Sequence, residues 1–122
     1  MYEVEWGDKR VYWKYYGDIS GSEIIEISQL VYGDPRFAEI KYKLVDFLDI
    51  DSINLSRVEA AKIVKLHKAA ALSNRNIENA VVACSNAELA NKFTFFFSSL
   101  CWEFFVFQDR EKGNNWFASK SI

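Results

Sequence analysis

Short apolar runs alternate with helix-length segments along most of this sequence, and that order constrains the fold more than any other feature. Three of the runs, residues 40–48, 79–85 and 102–108, have the length of a strand buried in a sheet. The segments between them carry apolar residues at helical spacing. Such alternation is typical of a parallel sheet covered by its crossover helices. Only five Gly and one Pro occur among the 122 residues, so we expect short connections.

The amino-terminal segment predicts a β-hairpin. Residues 2–6 alternate apolar and acidic side chains, and residues 11–16 form a second alternating, aromatic-rich segment. Gly7-Asp8 marks the turn between them, and Gly17 is expected to end the second strand.

Helix starts are marked by side chains that can cap free backbone N–H groups. Ser20 with Glu23, and Ser56 with Glu59, have the spacing of a capping box. Gly33-Asp34-Pro35 is expected to end the first of these helices. Two further helices are predicted to begin at Asn86 and Asp109.

These elements predict one α/β domain over residues 1–122, with the order β-β-α-β-α-β-α-β-α. Its sheet is mixed but mostly parallel, opens with the hairpin, and carries helices on both faces.

Several local strings support a family resemblance over the full length of the chain. They are Tyr16-Gly17-Asp18-Ile19, Gly33-Asp34-Pro35-Arg36-Phe37, Leu44-Val45-Asp46, Val81-Val82-Ala83, Phe105-Val106-Phe107 and Trp116-Phe117. With their order, these strings resemble the SpoIIAA-like group within the STAS and Sec14-like folds. The resemblance implies a small regulatory or binding module.

The composition and the motifs argue against several function classes. A net charge of −2 offers no basic excess for nucleic acid. Clustered glycines for phosphate binding, a G-x-S-x-G elbow and a zinc ligand set are all missing from the sequence. No apolar run is long enough to span a membrane, and no signal peptide is recognised. We therefore expect a cytoplasmic protein that is not an enzyme and has no cofactor or metal.

The segment from Asp46 to Ser56 is the main candidate site. It is predicted as a loop that leaves a central strand and enters a helix, where open α/β sheets usually bind ligands. Its candidate residues are Asp46, Asp49, Asp51, Ser52 and Ser56. The three aspartates have the oxygen ligands that a divalent cation prefers, but they equally fit a solvated acidic loop.

The resemblance also implies a phosphorylation switch in this segment. In anti-sigma-factor antagonists a phosphorylatable serine begins the corresponding helix, in an Asp-Ser-Ser/Thr-Gly context. Here Ser56 keeps the position, while the Asp-Ser pair and the glycine are missing. Ser52, which follows Asp51, is the other candidate acceptor. A serine before a helix is also an ordinary cap, and that alternative stays open.

Four further side chains qualify as candidates. Phe95 is expected to lie opposite the inward stripe of the third helix, and Tyr12 and Tyr16 occupy the alternate face of the hairpin. Each fits an interface or a ligand contact, although a lone exposed aromatic ring is also common. His67 lies on the apolar face of the second long helix, as a hydrogen-bonded core histidine or a proton carrier.

Taken together, these features predict a STAS-like regulatory or protein-interaction module that binds a protein partner or forms a homo-oligomer. The alternative is a binder of a lipid or other small apolar ligand, held in a Sec14-like pocket between helices and sheet.

Overall fold

The computed structural model describes residues 1–83 and 103–120. Its strands are β1 (Tyr2–Gly7), β2 (Arg10–Ser20), β3 (Tyr42–Asn54), β4 (Glu78–Val82) and β5 (Glu103–Phe107). Its helices are α1 (Gly21–Tyr32), α2 (Arg57–Ser73) and α3 (Arg110–Ser119), with a 3-10 turn over Pro35–Glu39. The helix predicted to begin at Asn86, and Phe95 within it, lie outside the described residues.

The five strands form one sheet in which spatial order follows chain order, β1-β2-β3-β4-β5. β1 pairs antiparallel with β2, while the β2–β3, β3–β4 and β4–β5 pairs are all parallel. The predicted α/β class, with a hairpin at the start of a mostly parallel sheet, is confirmed.

Two apolar layers cover the two faces of this sheet. Alternate strand residues, such as Trp13 and Val45, join the core formed with Ile27 of α1 and Ile63 of α2. The intervening strand residues Leu44, Ala80 and Val82 pack instead with Trp116 and Phe117 of α3. Because neighbouring residues of a strand point to opposite faces, α3 lies across the sheet from α1 and α2. The prediction of helices on both faces is confirmed.

Both central strands are longer than the sequence predicts. β2 continues through Gly17 to Ser20, so the prediction that Gly17 ends the strand is wrong. Gly17 instead takes a φ of 72°, which glycine adopts without strain, next to an irregularity in the β2–β3 register.

The predicted loop after Leu48 is also wrong, because β3 continues to Asn54. Ile50 and Ile53 pack against the core, and residues 49–54 pair with the end of β2. Asp49, Asp51 and Ser52 are therefore strand residues.

Ser20, Ser56 and Asp109, the predicted helix caps within the described residues, all cap their helices, although only Ser56 forms the full capping box that was predicted for both serines. Ser56 and Glu59 form a complete capping box, because each side chain accepts a hydrogen bond from the other residue's backbone N–H. Ser20 caps α1 by accepting from the Glu23 N–H at 3.2 Å. Asp109 caps α3 by accepting from the N–H groups of Glu111 and Lys112.

Candidate interaction site at the carboxyl edge of the sheet

The carboxyl ends of β2 and β3 bring the starts of α1 and α2 side by side. A Cβ atom on Gly21, the first residue of α1, would lie 2.6 Å from the carboxyl carbon of Glu59 in α2. The next residue, Ser22, donates from its hydroxyl to Glu59 Oε2 at 3.2 Å. The absence of a side chain at position 21 thus permits the close approach of the two helix starts.

Asp46 is a buried carboxylate held by partners from three elements. Arg110 of α3 donates from Nε to Asp46 Oδ2 at 2.7 Å. Tyr12 of β2 donates from its hydroxyl to the same oxygen at 3.2 Å, and the Leu48 N–H donates to Oδ1 at 2.9 Å. Hydrogen bonds to Asp46 and Asp49 hold the pKa of Arg110 above its ordinary value.

Asp49 joins this ion-pair cluster although it lies three residues after Asp46, a spacing that puts two side chains on opposite faces of a regular strand. One extra β3 residue between the pairs Lys14↔Asp46 and Tyr16↔Asp49 changes the register. Asp49 consequently contacts Lys14 Nζ at 2.6 Å and Arg110 Nη2 at 2.9 Å. Hydrogen bonds from Lys14 and Arg110 hold the pKa of the Asp49 carboxyl below its ordinary value.

The outer part of β3 presents Asp51 and Ser52 to solvent. Ser52 donates from its hydroxyl to Asp18 Oδ1 of β2 at 2.7 Å. Within residues 1–83 and 103–120, no group of three or more His, Cys, Asp and Glu side chains is arranged to hold a metal ion.

Ser56 lies exposed at the start of α2, two residues beyond the end of β3. Its Oγ accepts from the Glu59 N–H at 3.1 Å, while Glu59 Oε1 accepts from the Ser56 N–H at 3.0 Å. Within the chain, Ser56 therefore acts as a helix cap.

The two candidate tyrosines of the hairpin lie on the α3 side of the sheet. Tyr12 is half-buried, with its ring centroid 6.3 Å from that of Phe117. Burial and the neighbouring Asp46 carboxylate raise its pKa to about 12. Tyr16 is half-buried opposite Asp49.

A second polar cluster, which the sequence did not predict as a group, lies in the core beneath α1 and α2. Lys43 of β3 is fully buried and donates from Nζ to the Tyr32 hydroxyl at 2.7 Å. The same hydroxyl lies 2.8 Å from His67 Nδ1. The ammonium of Lys43 also lies 4.6 Å from the centroid of the Trp13 ring.

Burial is the main electrostatic influence on this core cluster. It lowers the pKa of the Lys43 ammonium, because the charged form loses hydration. It also lowers the pKa of His67, with a further contribution from the charge of Lys43. Of the two alternatives for His67, the structure favours a hydrogen-bonded core histidine.

The edge of the sheet and the core cluster are parts of a fold that is also found in known structures. The fold is SpoIIAA-like: the chain is similar to the anti-sigma factor antagonist SpoIIAA in its unphosphorylated form, with a TM-score of 0.66, 100% of both chains covered and 9% identity. The phosphorylated form of this Bacillus cell fate determinant gives a TM-score of 0.59, with 94% of this chain and 98% of that one covered, again at 9% identity.

A third solved structure is an uncharacterised protein from the DUF3478 family of Shewanella loihica PV-4, which has a SpoIIAA-like fold. It gives a TM-score of 0.59 at 19% identity, covering 95% of this chain and 91% of that one. No family model matches the sequence, and no curated protein matches it significantly. The predicted SpoIIAA-like fold is confirmed by structure.

No helix within residues 1–83 and 103–120 is long and apolar enough to cross a bilayer.

Proposed function

We propose that this protein is a non-enzymatic regulatory module that binds a protein partner at the start of α2. The observation that carries the proposal is the full-length similarity of its fold to an anti-sigma factor antagonist, together with an exposed serine at the start of α2. The binding surface, here called the junction surface, consists of Asp51, Ser52, Ser56, Arg57 and Val58, all of which are exposed.

The ion-pair cluster supports binding rather than acid–base catalysis at this edge. A general base must offer a free lone pair to its substrate. Asp46 and Asp49 instead accept hydrogen bonds from Arg110 and Lys14, and Asp46 has no exposed surface. Their charges are thus used to join β3 to α3 and to β2.

An apolar contact in a polar rim is the composition expected of a docking surface. Val58 is 79% exposed on the first turn of α2. Arg57 precedes it, and the Ser56 hydroxyl lies at the helix start. Burial of the Val58 side chain by a partner would contribute roughly 1.5 kcal/mol or more.

Phosphorylation of Ser56 would alter the charge of the junction surface. The phosphate would add up to two negative charges to a side chain that is exposed next to Arg57 and Val58. A partner that contacts these residues would meet this charge directly, so its affinity would change. Ser56→Asp supplies part of the charge, whereas Ser56→Ala leaves this position uncharged.

The test uses a photo-crosslinking residue. Val58→p-benzoylphenylalanine is expressed in the source cell and compared with Leu72→p-benzoylphenylalanine. Leu72 is the matched control because it is 68% exposed on the same helix, about 21 Å away at 1.5 Å per residue. We expect one dominant protein adduct from position 58 and none of that mass from position 72.

The switch is tested on the captured partner with Ser56→Ala and Ser56→Asp. We expect Ser56→Ala to bind like wild type and Ser56→Asp to bind at least fivefold more weakly or more tightly. If positions 58 and 72 yield the same adducts, the junction surface is not the docking site. Equal affinities of all three proteins would exclude the serine switch.

The apolar-ligand alternative stays a prediction without a supporting observation. In the described part of the core, the layer between the sheet and the helices is filled by large side chains. They include Trp13, Tyr15, Phe37 and Phe47.

A further inference from the structure

β1 is an edge strand of the sheet, and among the described residues its outer side carries a regular row of backbone hydrogen-bonding groups without a strand partner. Met1 and Tyr16 exchange both backbone hydrogen bonds, at 2.9 and 3.1 Å. Hydrogen-bonded and non-hydrogen-bonded pairs alternate along an antiparallel ladder. The N–H and C=O groups of Tyr2, Val4 and Trp6 therefore point away from β2, toward the outer side of the edge.

Nothing in β1 itself disrupts this row. The register between Tyr2 and Gly7 is continuous, and the strand contains neither a proline nor a bulge. Such an edge is a template for an added strand, and the charged side chains of Glu3 and Glu5 are the feature of β1 that restricts which strand can be added.

The side chains beside the edge are acidic. Glu3 and Glu5 are both exposed and point to the α3 side of the sheet, opposite to the half-buried Tyr2, Val4 and Trp6. A groove of about 300 Å³ lies against Glu3, Val4, Glu5 and Tyr12.

A second groove of about 390 Å³ continues this depression beneath α3. It is lined by Glu5, Arg10, Tyr12, Asn114, Phe117 and Ala118. The two grooves share Glu5 and Tyr12, so the Glu3 and Glu5 carboxylates and the Tyr12 ring lie together beside the exposed backbone row. The Phe117 ring in the second groove is already covered by the guanidinium of Arg10, whose Cζ lies 4.9 Å from the ring centroid. This combination matches a long cationic side chain, whose methylene stem packs on a ring while its head remains near a carboxylate.

We propose that β1 binds an extended segment of a partner protein that carries Lys or Arg at alternate positions. The segment adds a sixth strand through the backbone groups of Tyr2, Val4 and Trp6. Its basic side chains lie on the α3 face, beside Glu3 and Glu5. This surface is independent of the junction surface at the start of α2.

The charges of Glu3 and Glu5 favour a basic partner strand over a second copy of β1. In a two-fold antiparallel pairing centred on Val4, Glu3 of each copy would lie directly opposite Glu5 of the other. Like charges directly opposite one another destabilise a strand pair. A basic partner strand replaces this repulsion with attraction.

The test measures the fluorescence anisotropy of a labelled, end-blocked peptide of alternating Lys and Val residues. We expect the wild-type protein to bind it at least tenfold more tightly than the matched peptide of alternating Glu and Val. Glu3→Lys combined with Glu5→Lys should reverse that preference. Val58→Asp, which changes the junction surface, should bind the Lys peptide like wild type, so failure of either proposal can be recognised separately.

The backbone contribution is tested on both partners. Val4→Pro removes an outward N–H and should lower the affinity for the Lys peptide at least tenfold. The same loss is expected when the peptide amides that face β1 are N-methylated, a change that leaves the protein intact. Hydrogen exchange at Tyr2, Val4 and Trp6 should slow when the peptide is added.

Three outcomes would overturn the proposal. The first is equal binding of the N-methylated and unmodified Lys peptides, because this would indicate charge attraction without an added strand. The second is unchanged exchange at the three outward amides. The third is protection of those amides in the absence of peptide together with a dimeric mass, which would place a second copy on the edge.

Discussion

Asp46 and Arg110 form an ion pair whose two members differ in burial. Asp46 has no exposed surface, whereas the Arg110 side chain is 36% exposed. Removing the arginine leaves a charged carboxylate in the interior, while removing the carboxylate returns a guanidinium to water. The consequences of the two substitutions are therefore unequal.

We expect Arg110→Met to lower the free energy of unfolding by about 3 kcal/mol and Asp46→Asn by about 1–2 kcal/mol. Urea denaturation at pH 7 measures both. The double variant should lose less than the sum of the single losses, because no buried charge remains. Additive losses would indicate that the two side chains act independently.

The lowered pKa of His67 makes stability depend on pH in a defined direction. The unfolded histidine takes up a proton near its ordinary pKa of about 6.5, while the buried ring resists protonation. The unfolded state then binds more protons, so the free energy of unfolding falls as the pH is lowered below about 6.5.

His67 should account for one part of this loss between pH 6.5 and 5; Lys43, whose pKa burial also lowers, contributes a slope of the same sign in both proteins compared below. His67→Gln should flatten the pH dependence in that window while keeping a hydrogen-bond partner for the Tyr32 hydroxyl. Carboxylates with a lowered pKa, such as Asp49 and Glu59, act mainly below about pH 5. Chemical denaturation of both proteins across the window measures the effect, and parallel curves would contradict it.

Single residues differ in how far their surroundings could be predicted from the sequence. Lys43 alternates with Val45 and Phe47 toward the core, and this placement was a signal that a lysine would be buried. Arg110 gave no such signal, because its partner lies 64 positions away. Asp46 was predicted as a site residue from its place at a strand end, but its structural partner depends on where α3 packs.

At the scale of the elements, α3 lies very close to the sheet at Gly113. A Cβ atom at this position would lie 2.5 Å from Cγ2 of Val82, closer than real side chains approach. Alanine is otherwise preferred over glycine within a helix by about 1 kcal/mol. Packing and helix propensity therefore act in opposite directions here.

We expect packing to dominate, so that Gly113→Ala lowers the melting temperature and weakens the contact of α3 with β4. Asn115→Ala is the matched control, since Asn115 is exposed on the same helix. It should leave the melting temperature unchanged or slightly raised. A stabilised Gly113→Ala protein would indicate that α3 can move away from β4 without loss.

The capping box of α2 gives a second prediction at the level of an element. Ser56→Ala removes the acceptor for the Glu59 N–H and should cost about 1 kcal/mol of stability. Ser56→Asp supplies another capping oxygen and should lose less. Thermal unfolding of the two variants measures the difference, and equal losses would indicate that the Ser56 oxygen does not stabilise the helix.

The extended end of β3 shows why an element boundary was misjudged. Aspartate and serine are frequent in turns, so residues 49–52 predicted a loop. Ile50 and Ile53 nevertheless reach the core from this segment, because two register irregularities with β2 adjust which side chains face inward. Helix starts were predicted better, since a cap is a local interaction between residues three apart.

At the scale of the whole molecule, the ends of β2 and β3 extend beyond β1 and β4 in the part of the chain that the structure describes. β4 pairs with β3 at Tyr42–Asp46, and Met1 with β1 pairs with β2 as far as Tyr16. Residues 17–20 and 50–54 thus form a two-stranded ribbon above the five-stranded sheet. The order of elements along the sequence predicted the fold class, but it did not predict that β2 and β3 are longer than their neighbours.

We expect native-state hydrogen exchange to separate the two regions. Amides of β3 from Lys43 to Asp46, which lie between β2 and β4, should be the most protected. Those from Ile50 to Ile53 should exchange at least tenfold faster, because ribbon strands have fewer neighbours. Equal protection along β3 would show that the ribbon opens only with the whole molecule.

The agreement between strand order and chain order has a consequence for biosynthesis. Each new strand leaving the ribosome can pair with the strand made just before it, so the sheet can grow in one direction during translation. Asp46 receives its cationic partner only when Arg110 in α3 emerges. A nascent chain stalled before α3 would therefore carry a nearly finished sheet with an acidic centre that still lacks its counter-charge.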